Sequence, residues 1–285
     1  MQYNCNSTCK ESRVTTDTAE QRAQRLAAGR AKLREQGITP RQRGREKLRL
    51  AVDWIYRWGY SSPSVLDILS GAKRAGFPAK LVKNNLCART KTQTGGLASG
   101  IPVVYLTLTE LGLSEAERFR KTLINYNIDP YRVDQTKMRH DLIAQKATAK
   151  NLQEGIIADY QTERELAAKH EAGQKEPDVV WIMPDGSKTA VEIELTAKWD
   201  RRLDEFVLHT ARSLISRDGK PPRFDQVAVV SDSPAILERY ETAFRPGAKI
   251  NQWAKDRHGH YRINKTVTMP PEVSEKMLWI ALPDD

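Results

Sequence analysis

The chain has 285 residues, and its 46 Lys and Arg against 36 Asp and Glu give a net charge of +10. This length predicts about two domains, and the positive charge favours a polyanionic partner such as nucleic acid. A membrane span is not expected, because there is no run of about 18 apolar residues. We see no secretion signal. The cysteines, Cys5, Cys9 and Cys87, are too few for a disulfide framework, so we expect reduced thiols and a cytoplasmic location.

Residues 1–42 form a basic arm that we expect to be either flexible or helical. The stretch from Glu20 to Arg34 is rich in arginine and in good helix formers, but its apolar stripe is thin. Such an arm can become ordered on DNA, or it can remain a solvated helix or tail. The sequence favours neither alternative.

Three short helices and a strand are predicted in residues 43–118. Apolar residues recur at helical spacing from Leu48 to Ile55, and Ser62-Pro63 is a typical start for a second helix. We expect a third helix over Ala79–Leu86, followed by a glycine-bearing loop over Arg89–Leu97. A strand over Pro102–Leu106 and the stretch to Gly112 complete the segment.

This order resembles a winged helix-turn-helix domain, and the ending from Tyr105 to Gly112 adds to the resemblance. In that family the third helix enters the major groove and the wing follows the backbone. The resemblance implies six DNA-binding residues on the helix and wing, namely Lys80, Lys83, Asn84, Asn85, Arg89 and Lys91. Asn can recognise adenine edges, whereas Lys mostly contacts phosphates. A winged helix that docks on protein is the alternative.

A connector is expected over residues 119–132, followed by a domain over residues 133–285. Its first part predicts a long helix from Val133 to His170, broken near Gly155. On such a helix Tyr160 and Glu163 share the apolar face, so Glu165 is expected to face solvent. Because an acid within an apolar stripe is costly unless it is paired, we expect Glu163 to be directed at the site.

Carboxylates accompany a predicted β-hairpin in the same domain. Two apolar runs, over residues 178–182 and 190–195, flank an Asp-Gly turn. In the second strand Glu192 and Glu194 alternate with apolar residues, and Asp178 begins the first strand. Closely placed carboxylates repel each other unless a cation lies between them, and hard divalent ions take oxygen ligands. The hairpin therefore predicts a metal site.

Further helices, at about residues 201–216 and 234–244, and strands, at residues 226–230 and 277–282, complete an α/β (α+β) domain with a mixed central sheet. Helix-Glu, Pro-Asp, hairpin and Glu-x-Glu resemble the PD-(D/E)XK nuclease superfamily. Together with Arg139-His140-Asp141-Leu142, Thr162-Glu163-Arg164-Glu165-Leu166 and Glu192-Ile193-Glu194-Leu195-Thr196, they resemble the replication-relaxation family, which includes MobC-type plasmid relaxases.

The resemblance implies that Asp178 and Glu192 are metal ligands for Mg²⁺ or Mn²⁺, with Glu163 as a further ligand. Glu194 stands where the superfamily usually has Lys, which leaves the general base open. Lys198, four residues further on, can replace the missing ammonium or be a surface lysine. Tyr160 is a candidate for covalent attachment to DNA, although its core-facing position favours packing. His140, His170 and His209 are expected to be structural or surface residues rather than metal ligands.

The implied activity is that of a relaxase, which nicks one DNA strand at a plasmid origin of transfer. Its expected partners are double-stranded DNA, relaxosome accessory proteins and a coupling protein. The alternatives are an inactive nuclease-like fold that only binds a DNA sequence, as a repressor or accessory factor does, and a restriction-type endonuclease that cuts both strands. The histidines do not form the cluster of common tyrosine relaxases, because His258-Gly259-His260 lies in a polar turn.

Overall fold

The computed structural model describes residues 37–71, 76–118, 120–167, 176–216 and 219–282, with positions 20, 23, 24, 27, 28, 31 and 35. The chain divides into two compact units, Met1–Leu48 and Arg49–Asp285. In the first unit the described positions from 20 to 35 are all helical and exposed, which agrees with the helical alternative for the arm. Cys5, Cys9 and His170 lie outside the described residues.

Helices and one hairpin occupy the chain from position 40 to position 117. The elements are α1 (Pro40–Trp58), α2 (Pro63–Leu69), α3 (Phe77–Lys83), β1 (Cys87–Lys91), β2 (Val104–Leu108) and α4 (Glu110–Glu117). The predicted start of α2 is confirmed, because the Ser62 hydroxyl accepts a hydrogen bond from the Val65 amide at 3.3 Å. Strands β1 and β2 pair antiparallel, with Cys87 opposite Leu108.

The remaining elements build a five-stranded sheet and its covering helices. They are a 3₁₀ turn (Pro130–Arg132), α5 (Met138–Glu154), β3 (Asp159–Thr162), α6 (Glu163–Ala167), β4 (Val179–Ile182), β5 (Lys188–Ile193), α7 (Asp200–Leu214), β6 (Gln226–Ser231), α8 (Pro234–Ala243), β7 (Lys249–Lys255), β8 (Tyr261–Thr268), α9 (Pro271–Ser274) and β9 (Met277–Ala281). The strand order is β3-β4-β5-β6-β9. Strands β3, β4 and β5 are antiparallel neighbours, whereas β5, β6 and β9 run parallel, so the predicted mixed sheet is confirmed.

The two faces of this sheet pack against different helices. On one face the Trp181 indole donates to the Thr148 hydroxyl of α5 at 2.9 Å. On the other face Val180 and Ala190 belong to a buried cluster with residues of α7 and α8. Because side chains alternate along a strand, Glu192 and Glu194 share the face of Ala190.

Of the helix predicted over Val133–His170, residues 138–154 and 163–167 are helical and the expected break near Gly155 is present, whereas residues 133–137 are not helical and residues 159–162 form a strand. Helix α5 ends at Gly155, whose φ of +70° places it in the left-handed conformation that favours glycine. The chain then forms strand β3, in which Tyr160 pairs with Trp181 of β4. Backbone hydrogen bonds to β4 therefore outweigh the helical spacing over residues 159–162.

A further antiparallel hairpin, β7–β8, lies between α8 and α9 and was not predicted. Its turn contains Gly259, with φ +81°, so the expected turn at residues 258–260 is present. Among the helices in the described ranges, none combines the length and the apolar character that crossing a membrane requires.

Candidate active site and nucleic-acid interface

Asp178 immediately precedes β4, at the end of the β4–β5 pair where β4 begins and β5 finishes. Its Oδ2 atom accepts a hydrogen bond from the backbone amide of Ile193 at 2.7 Å. The same Oδ2 lies 3.2 Å from Nε2 of His140. Asp178 is therefore held by the backbone of the neighbouring strand and by a side chain of α5.

His140 lies between two carboxylates. Its Nδ1 is 3.2 Å from Oδ1 of Asp141, and Oδ2 of Asp141 accepts a hydrogen bond from the Tyr60 hydroxyl at 3.0 Å. Burial lowers the pKa of His140, but the hydrogen bonds to Asp141 and Asp178 outweigh it and raise that pKa to about 10. The prediction that His140 is a structural or surface residue did not include this direct contact with Asp178.

Glu163 begins helix α6 and lines the same small cavity as Asp178. The cavity has a volume of about 60 Å³ and is also lined by Arg57, Trp58, His140, Asp141, Ala144, Thr162 and Arg164. Partial burial, and then the negative charge of Asp178, raise the pKa of Glu163 above its usual range. Glu163 lies beside Asp178 at an exposed position, and its role as a ligand stays a prediction.

Glu165 does not face solvent, so that prediction is wrong. Its carboxylate lies 3.0 Å from Nε of Arg57 and 2.9 Å from an Nη of Arg120, and its side chain is 16% exposed. It also accepts a hydrogen bond from the Thr162 amide at 3.0 Å. Helix α6 begins only at position 163, after a strand, so the helical wheel drawn from Ile156 does not apply.

Tyr160 is a packing residue. Its side chain is buried in β3, and the guanidinium of Arg57 lies 3.6 Å from the centre of its ring. Burial raises the pKa of its hydroxyl above the usual range. Covalent attachment of DNA to Tyr160 therefore has no support in this geometry, which agrees with the packing alternative.

Glu194 and Lys198 form a second group on the face covered by α7 and α8. The Lys198 ammonium pairs with Glu194, and the Tyr240 hydroxyl donates to the other oxygen of that carboxylate at 2.9 Å. Burial, and then the charges of Glu194 and Glu192, raise the pKa of Tyr240. Lys198 thus lies beside the strand position where the motif lysine is missing.

The predicted metal ligands are brought together only in part. Asp178 and Glu163 share the small cavity. Glu192 does not line it, although the β4–β5 register, continued by one residue beyond the Val179–Val191 pair, places Glu192 opposite Asp178. Within the ranges that the structure describes, no three His, Cys, Asp or Glu side chains form a set that can hold a metal ion. Mg²⁺, however, usually binds through one or two carboxylates, with waters and substrate phosphates completing its shell. The donors Asp178 and Glu163 fit that mode.

The six predicted DNA-binding residues are all exposed, but they do not all lie where the sequence predicted. Helix α3 carries Lys80 and Lys83 and ends at Lys83, so Asn84 and Asn85 follow it. Asn85 has a φ of +55°, which is a left-handed turn conformation and not a helical one. Arg89 and Lys91 lie within strand β1 and not in a loop.

His140 was the residue of this site that sequence reasoning underrated. It stands in Arg139-His140-Asp141-Leu142, one of the four motifs that carry the family resemblance, and that signal could have identified it. Comparison of the chain with protein-family models, with curated proteins and with solved structures finds no match. The resemblances therefore depend on the sequence motifs alone.

Proposed function

We propose that this chain binds a specific site on double-stranded DNA and nicks one strand there, as a plasmid relaxase of the replication-relaxation type does. The observation that carries the proposal is the cavity in which Asp178, Glu163 and His140 meet at the end of the β4–β5 hairpin. Paired acids at this position of a mixed sheet are typical of metal-dependent phosphodiester cleavage, which the sequence motifs independently indicate.

DNA binding is assigned to the helices and hairpin from α1 to α4. Three helices followed by an antiparallel hairpin have the element order of a winged helix, in which the third helix enters the major groove. Lys80 and Lys83 on α3 and Arg89 and Lys91 on β1 are exposed cations. They can neutralise phosphates, and the exposed amides of the α3–β1 turn can contact base edges.

Asp178 and Glu163 are the residues that would hold Mg²⁺ or Mn²⁺. A bound divalent ion would supply a water of lowered pKa and would offset negative charge at the reacting phosphate. The chain itself positions Asp178 through the Ile193 amide and His140. His140 is in turn oriented by Asp141, which Tyr60 holds, so the orientation of Asp178 depends on residues from α5 and from the α1–α2 connection.

The second candidate function is sequence-specific DNA binding without cleavage. It is favoured by Glu194, which replaces the usual lysine and is engaged by Lys198 and Tyr240. Both oxygens of the Glu194 carboxylate are engaged by these partners, and Glu194 does not line the cavity that holds Asp178.

Supercoiled plasmid with and without the cognate origin, incubated with Mg²⁺ or Mn²⁺, separates these functions. Open circles that require the origin support the relaxase, linear product supports an endonuclease, and a mobility shift without cutting supports the binding protein. Asp178→Asn should abolish cutting and preserve the shift. The control Glu241→Gln, at an exposed position of α8, should preserve both.

Variants in the second group show whether Glu194 and Glu192 take part. Glu192→Ala and Glu194→Gln remove a carboxylate, whereas Glu194→Lys places a second ammonium beside Lys198 and adds like-charge repulsion. Cutting that survives Glu194→Gln would show that Glu194 is not the general base. Binding that is lost with Asp178→Asn would contradict the assignment of recognition to α1–α4.

A further inference from the structure

The hairpin β7–β8 presents an exposed basic surface that the proposed function does not use. Its residues 249–268, here called the basic ribbon, contain one acid, Asp256. They contain five cations, Lys249, Lys255, Arg257, Arg262 and Lys265. All five are exposed, and they are contributed by both strands and the turn. A two-stranded element with this charge is complementary to a polyanion.

The base and one face of the ribbon are anchored to the protein. Ile250 is buried in the core cluster at the start of β7. Asp204 of α7 accepts a hydrogen bond from the Trp253 indole at 2.8 Å and one from the Asn251 amide at 3.3 Å. The Arg201 guanidinium lies 3.9 Å from the centre of the Tyr261 ring. The ribbon is therefore held in position and does not need to become ordered when a partner binds.

The opposite face carries two of the five cations, Arg262 and Lys265. Lys265 pairs with Gln252, and Arg262 pairs with Ala254. Gln252 and Ala254 flank Trp253 on β7, so they and their partners lie on the face opposite to Trp253. Gln252 and Ala254 are two positions apart, which separates the two cations by roughly 7 Å along the ribbon. The Arg262 side chain remains 76% exposed despite a 3.5 Å contact with Asp256.

The single acid of the ribbon is engaged in forming the turn. The Asp256 carboxylate accepts hydrogen bonds from the backbone amides of His258 at 2.9 Å and His260 at 3.0 Å. Its side chain is 26% exposed, in contrast with the exposed cations around it. Its position gives the turn its shape and leaves the net positive charge of the outer face in place.

We propose that the basic ribbon is a second DNA-contacting element, which grips the phosphate backbone of a duplex independently of its sequence. A two-stranded β-ribbon has the width that the major groove of B-DNA admits, and each phosphate that Lys or Arg neutralises releases counterions. The inference rests on the proposed function in that DNA is taken as the partner. It adds a contact that lies outside both α3 and the Asp178 cavity, and it would hold the duplex after sequence recognition.

The test compares two variants of equal charge on a duplex of random sequence. The ribbon variant changes four exposed cations to Gln, at Lys255, Arg257, Arg262 and Lys265. The control variant does the same at four exposed positions outside the ribbon, at Lys188, Arg212, Lys220 and Arg245. Each variant carries a net charge of +10 − 4 = +6. Binding is measured by fluorescence anisotropy over a series of salt concentrations, and thermal unfolding verifies that both variants fold.

The ribbon variant should bind more weakly, and its plot of log affinity against log salt should be less steep by about 3 to 4, because each phosphate contact contributes about 0.9. The control variant should retain a slope near that of the unchanged protein. Equal slopes for the two variants would overturn the ribbon assignment, whatever happens at the origin. If the unchanged protein does not prefer its origin over random DNA, the proposed function is contradicted, but the result for the basic ribbon is unaffected.

Discussion

Arg57 provides a test of how the helices are joined to the central sheet. Its guanidinium, 10% exposed, lies 3.0 Å from the carboxylate of Glu165, contacts the Tyr160 carbonyl and covers the Tyr160 ring. Breaking a buried ion pair by removing one partner costs about 3–5 kcal/mol. Glu165 would retain Arg120 at 2.9 Å. We therefore expect Arg57→Met, which keeps the aliphatic packing, to cost about 3 kcal/mol.

This cost can be read as a shift of the thermal midpoint. At roughly 2–4 °C for each kcal/mol, Arg57→Met should lower Tm by about 6–12 °C. The control is Arg118→Met, because Arg118 is 66% exposed and lies 3.8 Å from Glu115. An exposed pair of this kind contributes at most about 1 kcal/mol. Tm is measured by circular dichroism on both variants.

A double-mutant cycle with Glu165→Gln isolates the pair. Residues in direct contact show coupling energies of about 0.5–3 kcal/mol, and the value expected here is in the upper half of that range because both side chains are largely buried. A Tm decrease no larger than that of Arg118→Met, or a coupling energy near zero, would refute the reasoning. The attachment of α1 to β3 and α6 would then depend on packing alone.

Three further predictions concern stability, each measured by denaturant unfolding. Gly112→Ala should destabilise the fold by about 1–3 kcal/mol, because a Cβ at this position would collide with the backbone carbonyl of Leu86. The control Gly44→Ala, in open space on α1, should be neutral or stabilising. Equal effects of the two substitutions would contradict this reasoning. Tyr240→Phe should cost about 1.5–3 kcal/mol by removing a hydrogen bond to the buried Glu194 carboxylate, and an unchanged midpoint would show that the bond contributes nothing. Burial raises the pKa of the Cys87 thiol from 9.0 to about 12. The stability that this thiol contributes is therefore present below about pH 9 and lost as the pH rises toward 12. Cys87→Ala should flatten that part of the plot of stability against pH. Parallel plots for the two proteins would contradict a contribution from the Cys87 thiol.

The sequence identified some residues of the candidate site but not how they are arranged in space. Asp178 was identified from the acids around a hairpin and Glu163 from a predicted helical face, and both line one cavity in the structure. Glu192 was assigned to the same site, and the register of β4 and β5 places it opposite Asp178, but it does not line that cavity. His140 could not be placed from spacing, because its partner Asp178 is 38 positions away in the chain (178 − 140).

Local signals were sufficient where a structure is stabilised by neighbours in sequence. Ser62-Pro63 determined the start of α2, Gly155 determined the end of α5, and the apolar run at residues 226–230 determined a buried strand. In each case the hydrogen bonds or the periodicity involved lie within a few residues, so composition and spacing contain the information.

Only the tertiary structure decided the features that depend on distant partners. Strand β3 exists because it pairs with β4, although its residues also have a helical spacing. Glu165 is turned away from solvent because Arg57, 108 positions earlier, supplies its counter-charge. One face of the basic ribbon remains exposed because the face that carries Trp253 packs on α7. Pairing energies between segments far apart in the chain have no signature in either segment alone, which is the physical reason that sequence reasoning did not reach them.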